Sequence, residues 1–329
     1  VVGSMKRGNE ILGWGMGTAT WHAGRGSATV RVRLGADGRV RASSATQDIG
    51  TGTYTVFAVV VADKLGISLE RVDVVLGDTA LPPGPMSGGS TATASVLPAI
   101  DKATDNVTSL LFELATRTPG SAFEKSDPRT LALTNGRVHA QGQAAESGVP
   151  FEKLLQLRRL ASLEAEAHTG GAEETGKYSS HCFGAQFLEV AWDPGIARLL
   201  VTRSVTVIDA GRIISEKTAR NQILGGVVWG ISMGMFEETI YDPRTGKPIN
   251  NNYADYLVPT NADIEQMECH FVQHPDLHLN EYGARGVGEI GLTGVASALT
   301  MAVYHATGIR VRKLPIRLEN LMSAPAMTA

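Results

Sequence analysis

Cysteine and net charge are both scarce in this sequence, and each scarcity excludes a class of protein. The 329 residues include two cysteines, Cys182 and Cys269. These are too few and too far apart for a disulfide framework or for a cysteine-based zinc or iron–sulfur site. Thirty basic side chains nearly balance 33 acidic ones, for a net charge of −3, and the basic residues form no run. Nucleic acid and anionic membranes are therefore not expected as the main partner.

Long charge-free runs are also rare, and the run that could suggest a membrane span is Ile290–Ile309. It is about as long as a span, but Gly291, Gly294 and Ser297 recur at every third position and form a small-residue helical face. We expect a buried helix here and no membrane span. A secretion signal is not visible, and the absence of an initial Met favours a processed or cut piece of a longer protein. Cytoplasm and periplasm both stay open as locations.

Glycine, in contrast, is abundant. It accounts for 37 of the 329 residues, about 11% against a usual value of roughly 7%. The glycines cluster before predicted helices, where they let the backbone come close to a ligand. With 43% apolar residues, the chain is long enough for about two domains.

The two halves of the sequence repeat one plan, in which a strand hairpin is followed by a crossing helix and then by a second, glycine-led helix. Gly88–Thr91 opens the second helix in the first half, and Gly286–Glu289 opens it in the second. The predicted fold class is α+β, with two pseudo-repeated subdomains, residues 1–173 and 174–329, and a cleft between them. The pattern also predicts one amphipathic helix over residues 151–167 and a linker over residues 168–176.

Two glycine loops are candidates for binding an anion. Gly50-Thr51-Gly52-Thr53 and Gly88-Gly89-Ser90-Thr91 each lead into a predicted helix. Free N–H groups and the positive end of the helix dipole suit such loops to phosphate. Neither loop has the glycine spacing of a dinucleotide-binding fold or the lysine of a P-loop. Each could therefore also be an ordinary capped helix start.

Glu289 is the sharpest catalytic candidate, because it stands next to Gly288 at the start of the uncharged run. A carboxylate at that place could complement the helix dipole, or it could lie between apolar walls and act as a general base. Gln222 precedes a glycine pair on another predicted helix, where its amide either bonds a polar cofactor ring or faces solvent. The residues alone leave both choices open.

A metal site built from side chains is not predicted. His270, His274 and His278 are four residues apart, as metal ligands on a helix would be. Pro275 would interrupt that helix, however, and no carboxylate completes the set. We therefore expect surface histidines.

Taken in order, these segments resemble a known family. Gln47–Tyr54, Gly88–Thr91, Gln222 with its glycines and Gly286–Glu289 resemble the molybdenum-cofactor-binding subunit of the xanthine dehydrogenase/aldehyde oxidase family, above all the bacterial multi-subunit aldehyde oxidoreductases. The resemblance extends over nearly the whole chain but matches only the C-terminal half of that large subunit. The family's upstream half, with a Gly-Phe-Gly cofactor loop and an active-site arginine, has no counterpart here. Many members also have Gln where this chain has Thr51.

The resemblance implies a molybdenum–pyranopterin cofactor, either molybdopterin or molybdopterin cytosine dinucleotide, whose dithiolene holds the metal. It implies that Glu289 is the catalytic base beside the molybdenum. The implied activity is the oxidation of aldehydes, or the hydroxylation of N-heterocycles, with oxygen derived from water. The residues that the resemblance assigns to cofactor contacts are Gly50, Thr51, Gly52, Thr53, Gly89, Ser90, Thr91, Gln222, Gly286, Val287 and Gly288.

The implied partners are the N-terminal half of the large subunit, an iron–sulfur subunit and an FAD subunit. Without them, we expect this chain to be a molybdenum-dependent oxidoreductase component that is inactive alone. Two other hypotheses stay open: a non-catalytic phosphate- or nucleotide-binding module, and a structural fragment with an empty site.

Overall fold

The computed structural model describes residues 1–171 and 177–322 and mixes helices with antiparallel and parallel strands. The strands are β1 Met5–Arg7, β2 Glu10–His22, β3 Ala28–Gly35, β4 Val40–Ser44, β5 Val72–Leu76, β6 Leu131–Thr134, β7 Arg137–Ala140, β8 Val149–Pro150, β9 Ser162–Thr169, β10 His181–Asp193, β11 Arg198–Asp209 and β12 Ile264–Val272. The helices are α1 Thr53–Leu65, α2 Ala92–Arg117, α3 Phe151–Leu157, α4 Glu216–Met235, α5 Val295–Thr307 and α6 Leu318–Met322. The predicted α+β class is confirmed.

The predicted repeat is visible in two of the sheets. In the first, the antiparallel pair β3–β4 is followed by α1 and by β5, which runs parallel to β4. In the second, the antiparallel pair β10–β11 is followed by α4 and by β12, which runs parallel to β11. The strand orders are β5-β4-β3-β9 and β1-β2-β10-β11-β12. A long helix covers one face of each sheet, α2 on β3 and β9, and α5 on β2 and β10.

The N-terminal strands lie in the sheet of the later half, which the sequence pattern did not indicate. Strand β2 pairs antiparallel with β10 from His22↔His181 to Ile11↔Trp192. The division into residues 1–173 and 174–329 stays a prediction, because its boundary falls within 172–176, outside the described residues. Strands β1 and β2, which this division assigns to residues 1–173, pair in the same sheet as β10 and β11.

The predicted helix over residues 151–167 is wrong in its second part. Helix α3 ends at Leu157, Arg159 takes a left-handed φ of 54°, and the chain then forms strand β9. This strand pairs antiparallel with β3 along its whole length, and Glu166 forms an ion pair with Arg31. The strand continues to Thr169, so the predicted linker begins later than expected, and most of it lies outside the described residues.

Helix α5 packs directly on β2, through glycine and alanine rather than through large side chains. A Cβ on Gly13, Gly15 or Gly17 would lie 2.0–2.2 Å from a backbone oxygen of the α5 segment. The predicted burial of this helix is correct, but its contact face includes Ala298 and Ala302, and Ser297 is exposed. None of the helices in residues 1–171 and 177–322 is long and apolar enough to cross a lipid bilayer.

Candidate functional site

Four segments that are far apart in the sequence meet at one cleft of about 350 Å³. It is lined by the first glycine loop, by the start of α2, by one face of α4 and by the loop that precedes α5. The lining residues are Ile49, Thr51, Thr53, Ser87, Gly88, Ser90, Thr91, Ala92, Thr93, Gln222, Gly225, Gly226, Trp229, Gly286, Val287, Gly288 and Glu289. The structure thus brings together all four of the predicted site segments, while Gly50, Gly52 and Gly89 are not among the lining residues.

The first glycine loop is already bonded to an anion of the chain itself. The carboxylate of Asp48 accepts the N–H groups of Gly50 at 2.8 Å, Gly52 at 3.2 Å and Tyr54 at 3.1 Å. Burial opposes ionisation of Asp48, but these backbone hydrogen bonds outweigh it and lower its pKa. Gly50 and Gly52 have φ values of 101° and 86°, which glycine adopts readily. These three N–H groups are therefore already bonded within the loop, and the loop lines the cleft with Thr51 and Thr53, whose side chains carry hydroxyl groups.

The second glycine loop leaves its helix end open. Helix α2 has 26 residues, begins after Thr91, and has neither a side-chain cap nor an acidic residue in its first turn. The side chain of Thr91 donates instead to the carbonyl of Gly88 at 3.2 Å. The N–H groups at a helix start carry a partial positive charge. The positive end of α2 therefore remains available to an anion at this cleft.

Glu289 lies at the start of a short 3₁₀ turn, Glu289–Gly291, and not at the start of α5. The long helix predicted to open at Gly286 begins only at Val295, and the preceding N–H, that of Gly294, is bonded by the side chain of Gln186. Glu289 is therefore not in the first turn of α5, where the sequence pattern placed it. Glu289 is half-buried and lines the cleft.

The glycines around Glu289 are explained by a close contact between two loops. A Cβ on Gly286 would lie 1.4 Å from the carbonyl oxygen of Ser90, and a Cβ on Gly288 would lie 2.9 Å from its Oγ. Ser90 itself has a left-handed φ of 57°. Its hydroxyl accepts the N–H of Glu289 at 3.1 Å. Ser90 therefore contacts the base candidate directly, which its predicted role as a cofactor contact did not include.

Helix α4 supplies a wall that sequence reasoning identified only in part. Gln222, Gly225, Gly226 and Trp229 all line the cleft, and their spacing of three and four residues places them on one helix face. Gln222 donates from Nε2 to the carbonyl of Gly50 at 3.0 Å, which ties α4 to the first loop. Trp229 is 57% exposed and was missed, although its helical spacing from Gln222 could have indicated it.

A buried ion pair anchors the Gly286–Glu289 loop from behind. Arg285, which directly precedes the loop, pairs with Asp209, and their side chains are only 7% and 4% exposed. Arg285 also donates to the carbonyl of His181. Cys182 lies beside the pair and donates to the carbonyl of Gly286 at 3.3 Å, and burial raises the pKa of its thiol to about 12. No local pattern indicates this anchor, because Asp209, Cys182 and Arg285 are far apart in the chain.

Comparison with known proteins identifies the family. The model of the molybdopterin cofactor-binding domain matches residues 2–265. The chain belongs to this family. The resemblance recognised in the sequence is thereby confirmed.

Named relatives support the same assignment. The aldehyde oxidoreductase molybdenum-binding subunit of Escherichia coli (strain K12) is 33% identical over 341 residues, covering 97% of this chain and 44% of that protein. The putative xanthine dehydrogenase molybdenum-binding subunit of the same strain is 29% identical over 332 residues, covering 97% of this chain and 42% of that protein. The chain therefore spans less than half the length of these curated relatives.

Solved structures show the same fold. Quinoline 2-oxidoreductase from Pseudomonas putida 86 superposes with a TM-score of 0.78 at 22% identity, over 95% of this chain and 42% of that one. Reconstituted CO dehydrogenase from Oligotropha carboxidovorans superposes with a TM-score of 0.79 at 22% identity, over 95% of this chain and 40% of that one.

The residues of the cleft fit the cofactor that the family name implies. The cleft volume lies within the range of small-molecule sites, about 300–1,000 Å³. A Cβ on Gly225 would meet nothing within 4 Å, so the glycine leaves open space that a ligand can fill. Within the part of the chain that the structure describes, no group of three or more His, Cys, Asp or Glu residues could hold a metal ion. Such a cleft suits a cofactor that brings its own metal better than it suits a bare ion.

Proposed function

We propose that this chain is the part of a molybdenum hydroxylase that holds the pterin cofactor and supplies the general base. The substrate class is aldehydes or electron-poor N-heterocycles, and the oxygen transferred comes from water. The observation that carries the proposal is the position of Glu289, which lines the same cleft as the open end of α2. One site thus combines a proton acceptor with an anion-binding helix end.

The chain would hold the cofactor with groups of different kinds. The N–H groups at the start of α2, beside Thr91 and Thr93, suit a phosphate. The hydroxyls of Thr51 and Thr53 suit the polar edge of the pterin, and Gln222 keeps its Oε1 as an acceptor while Nε2 is bonded to the first loop. Among the other predicted contacts, Val287 and Gly288 also line the cleft, whereas Gly50, Gly52 and Gly89 shape the loops that present these groups.

Glu289 would take a proton at its carboxylate from the oxygen nucleophile as that oxygen attacks the substrate carbon. When bound, the molybdenum centre supplies the two-electron redox chemistry. The role of the polypeptide is to hold the carboxylate in place and to surround it with few other charges. General-base catalysis of this kind contributes about a hundred- to ten-thousand-fold in rate.

The activity also requires polypeptide that this chain does not contain. Because the chain spans less than half of its relatives, we place part of the substrate pocket on the N-terminal half of the large subunit. Electrons would leave through an iron–sulfur subunit and an FAD subunit, since the two cysteines of this chain are separate and buried. We therefore expect no turnover from this chain alone.

The test is the cofactor content of the complete assembly. The chain is produced together with the N-terminal half and the neighbouring subunits, and molybdenum, pterin and phosphate are measured per chain. About one molybdenum and one pterin per chain is the expected result. Bound phosphate or nucleotide without molybdenum or pterin would contradict the proposal and would favour a phosphate-binding module instead.

A further inference from the structure

Gln186 lies outside the cleft but holds the turn that carries Glu289. It is on the face of β10 that packs toward α5, and it is 1% exposed. Its Nε2 donates to the carbonyl of Gly291, and its Oε1 accepts the N–H of Gly294 at 2.7 Å. Gly291 ends the 3₁₀ turn that Glu289 begins, and Gly294 directly precedes α5. One side chain thus bridges the turn and the helix.

The two hydrogen bonds require the chemistry of an amide. A neutral amide offers a donor and an acceptor on the same carbon, whereas an ionised carboxylate lacks the donor, and a methionine lacks the donor and has only a weak sulfur acceptor. At a buried position, an N–H or carbonyl left unpaired is costly, so replacement changes the local structure rather than only removing a contact. The fit is tight, because a Cβ on Gly294 would lie 2.7 Å from Oε1 of Gln186.

The same turn is held from two other directions. On the cleft side, the hydroxyl of Ser90 accepts the N–H of Glu289. On the α4 side, a Cβ on Gly226 would lie 2.8 Å from Cα of Gly291, so the two backbones are in contact. Gln186 contributes the polar contacts from the sheet. With three sides fixed, the position of the Glu289 carboxylate depends on each of them.

We propose that Gln186 is a positioning residue for Glu289. It fixes the Glu289–Gly291 turn against the sheet, without touching cofactor or substrate, and so keeps the carboxylate at its place in the cleft. The inference rests on the proposed role of Glu289 as the base. Misplacement of a reacting group by about 1 Å can lower the rate roughly a hundredfold.

The experiment compares Gln186→Met with a matched control in the complete assembly. The control is Thr206→Val, because Thr206 lies directly opposite Gln186 in the β10–β11 register and is also 1% exposed. Its hydroxyl finds no hydrogen-bond partner among the described residues. Amide hydrogen exchange is followed over residues 289–294, and kcat and KM are determined per bound molybdenum.

Gln186→Met is expected to exchange about tenfold faster at these amides and to lose ten- to hundredfold in kcat per molybdenum, with KM within twofold of the wild type. Thr206→Val is expected to match the wild type in all three measurements. A wild-type kcat per molybdenum in Gln186→Met, with Glu289→Gln inactive, overturns this inference alone. If Glu289→Gln keeps the wild-type kcat, the proposed function fails first and the inference falls with it.

If Gln186→Met does not fold, a second variant tests the inference. A protonated glutamic acid offers the same donor and acceptor as glutamine, and burial favours the protonated form. Gln186→Glu is therefore expected to fold and to keep kcat within threefold of the wild type at pH 6. Between pH 6 and pH 9 the introduced carboxyl group ionises and loses its donor, so kcat should fall relative to the wild type. A ratio of the two kcat values that stays constant over this range overturns the inference.

Discussion

The backbone N–H of Glu289 donates to the hydroxyl of Ser90 over 3.1 Å, although 199 positions separate the two residues in the chain. Ser90 belongs to the loop that opens α2, and Glu289 belongs to the loop that precedes α5. The two halves of the pseudo-repeat therefore meet at their corresponding glycine loops. The cleft exists only when both halves are folded against each other.

Gly286→Ala tests this loop contact. The added Cβ would lie 1.4 Å from the carbonyl oxygen of Ser90, so the loops have to separate, and we expect a loss of about 1–3 kcal/mol in the free energy of unfolding. Gly225→Ala is the control, because its Cβ enters open space on a helix and should stabilise the chain by up to about 1 kcal/mol. Denaturant unfolding measures both. Equal stabilities of the two variants would show that the contact is absent.

Ala92→Asp tests whether the α2 end binds an anionic part of the cofactor. Ala92 lies in the first turn of α2 and lines the cleft. A carboxylate there complements the helix dipole and should raise stability by about 0.3–1 kcal/mol. The same charge repels a phosphate, so molybdenum content in the complete assembly should fall severalfold. Ala92→Asn, with a neutral side chain of the same shape, should keep more of the cofactor. Full molybdenum occupancy in Ala92→Asp would exclude phosphate binding at this helix end.

Asp48→Ala tests the internal anion of the first loop. The backbone hydrogen bonds lower the pKa of Asp48 in the folded chain. The pKa in the unfolded chain, about 3.9, is therefore the higher one. The contribution of ionised Asp48 to the free energy of unfolding is therefore complete well above pH 4. It is lost as the pH falls toward the pKa of Asp48 in the folded chain. The difference in Tm between the wild type and Asp48→Ala should be constant from pH 8 to 5 and should shrink below pH 4. Glu281→Ala, at an exposed carboxylate, serves as the control. A difference that grows on acidification would contradict the assignment.

The sequence predicts the parts of this fold that local patterns determine. The hairpins, the crossing helices and the glycine loops follow from alternation, turn residues and capping, and they are where the pattern places them. The prediction of one helix over residues 151–167 is wrong because residues 164–167 alternate in polarity over too short a stretch to indicate a strand. Pairing with β3 determines that this segment forms a strand. Strand β2 was missed for a related reason. Its glycines weaken the strand signal, and they are explained only by the backbone of α5 lying on top of them.

The residues of the site also fall into those that local patterns indicate and those that only distant contacts explain. Thr51, Thr91, Gln222 and Glu289 were identified because their glycine-rich surroundings mark them locally, and they do line one cleft. The roles of Ser90 and Gln186 depend on contacts between segments about a hundred or more positions apart, which no local pattern records. Asp48 is different, because it lies two residues before Gly50, and an Asp next to a glycine loop could have been expected to bind that loop's N–H groups.

The most direct test of the central claim is the turnover of Glu289→Gln in the complete assembly. Glutamine keeps the shape and a hydrogen-bonding oxygen but cannot take up the proton. Molybdenum content and Tm should equal those of the wild type, while kcat per molybdenum should fall at least a hundredfold, which corresponds to about 3 kcal/mol or more of barrier. A Glu289→Gln enzyme that carries molybdenum and turns over at the wild-type rate would contradict the account.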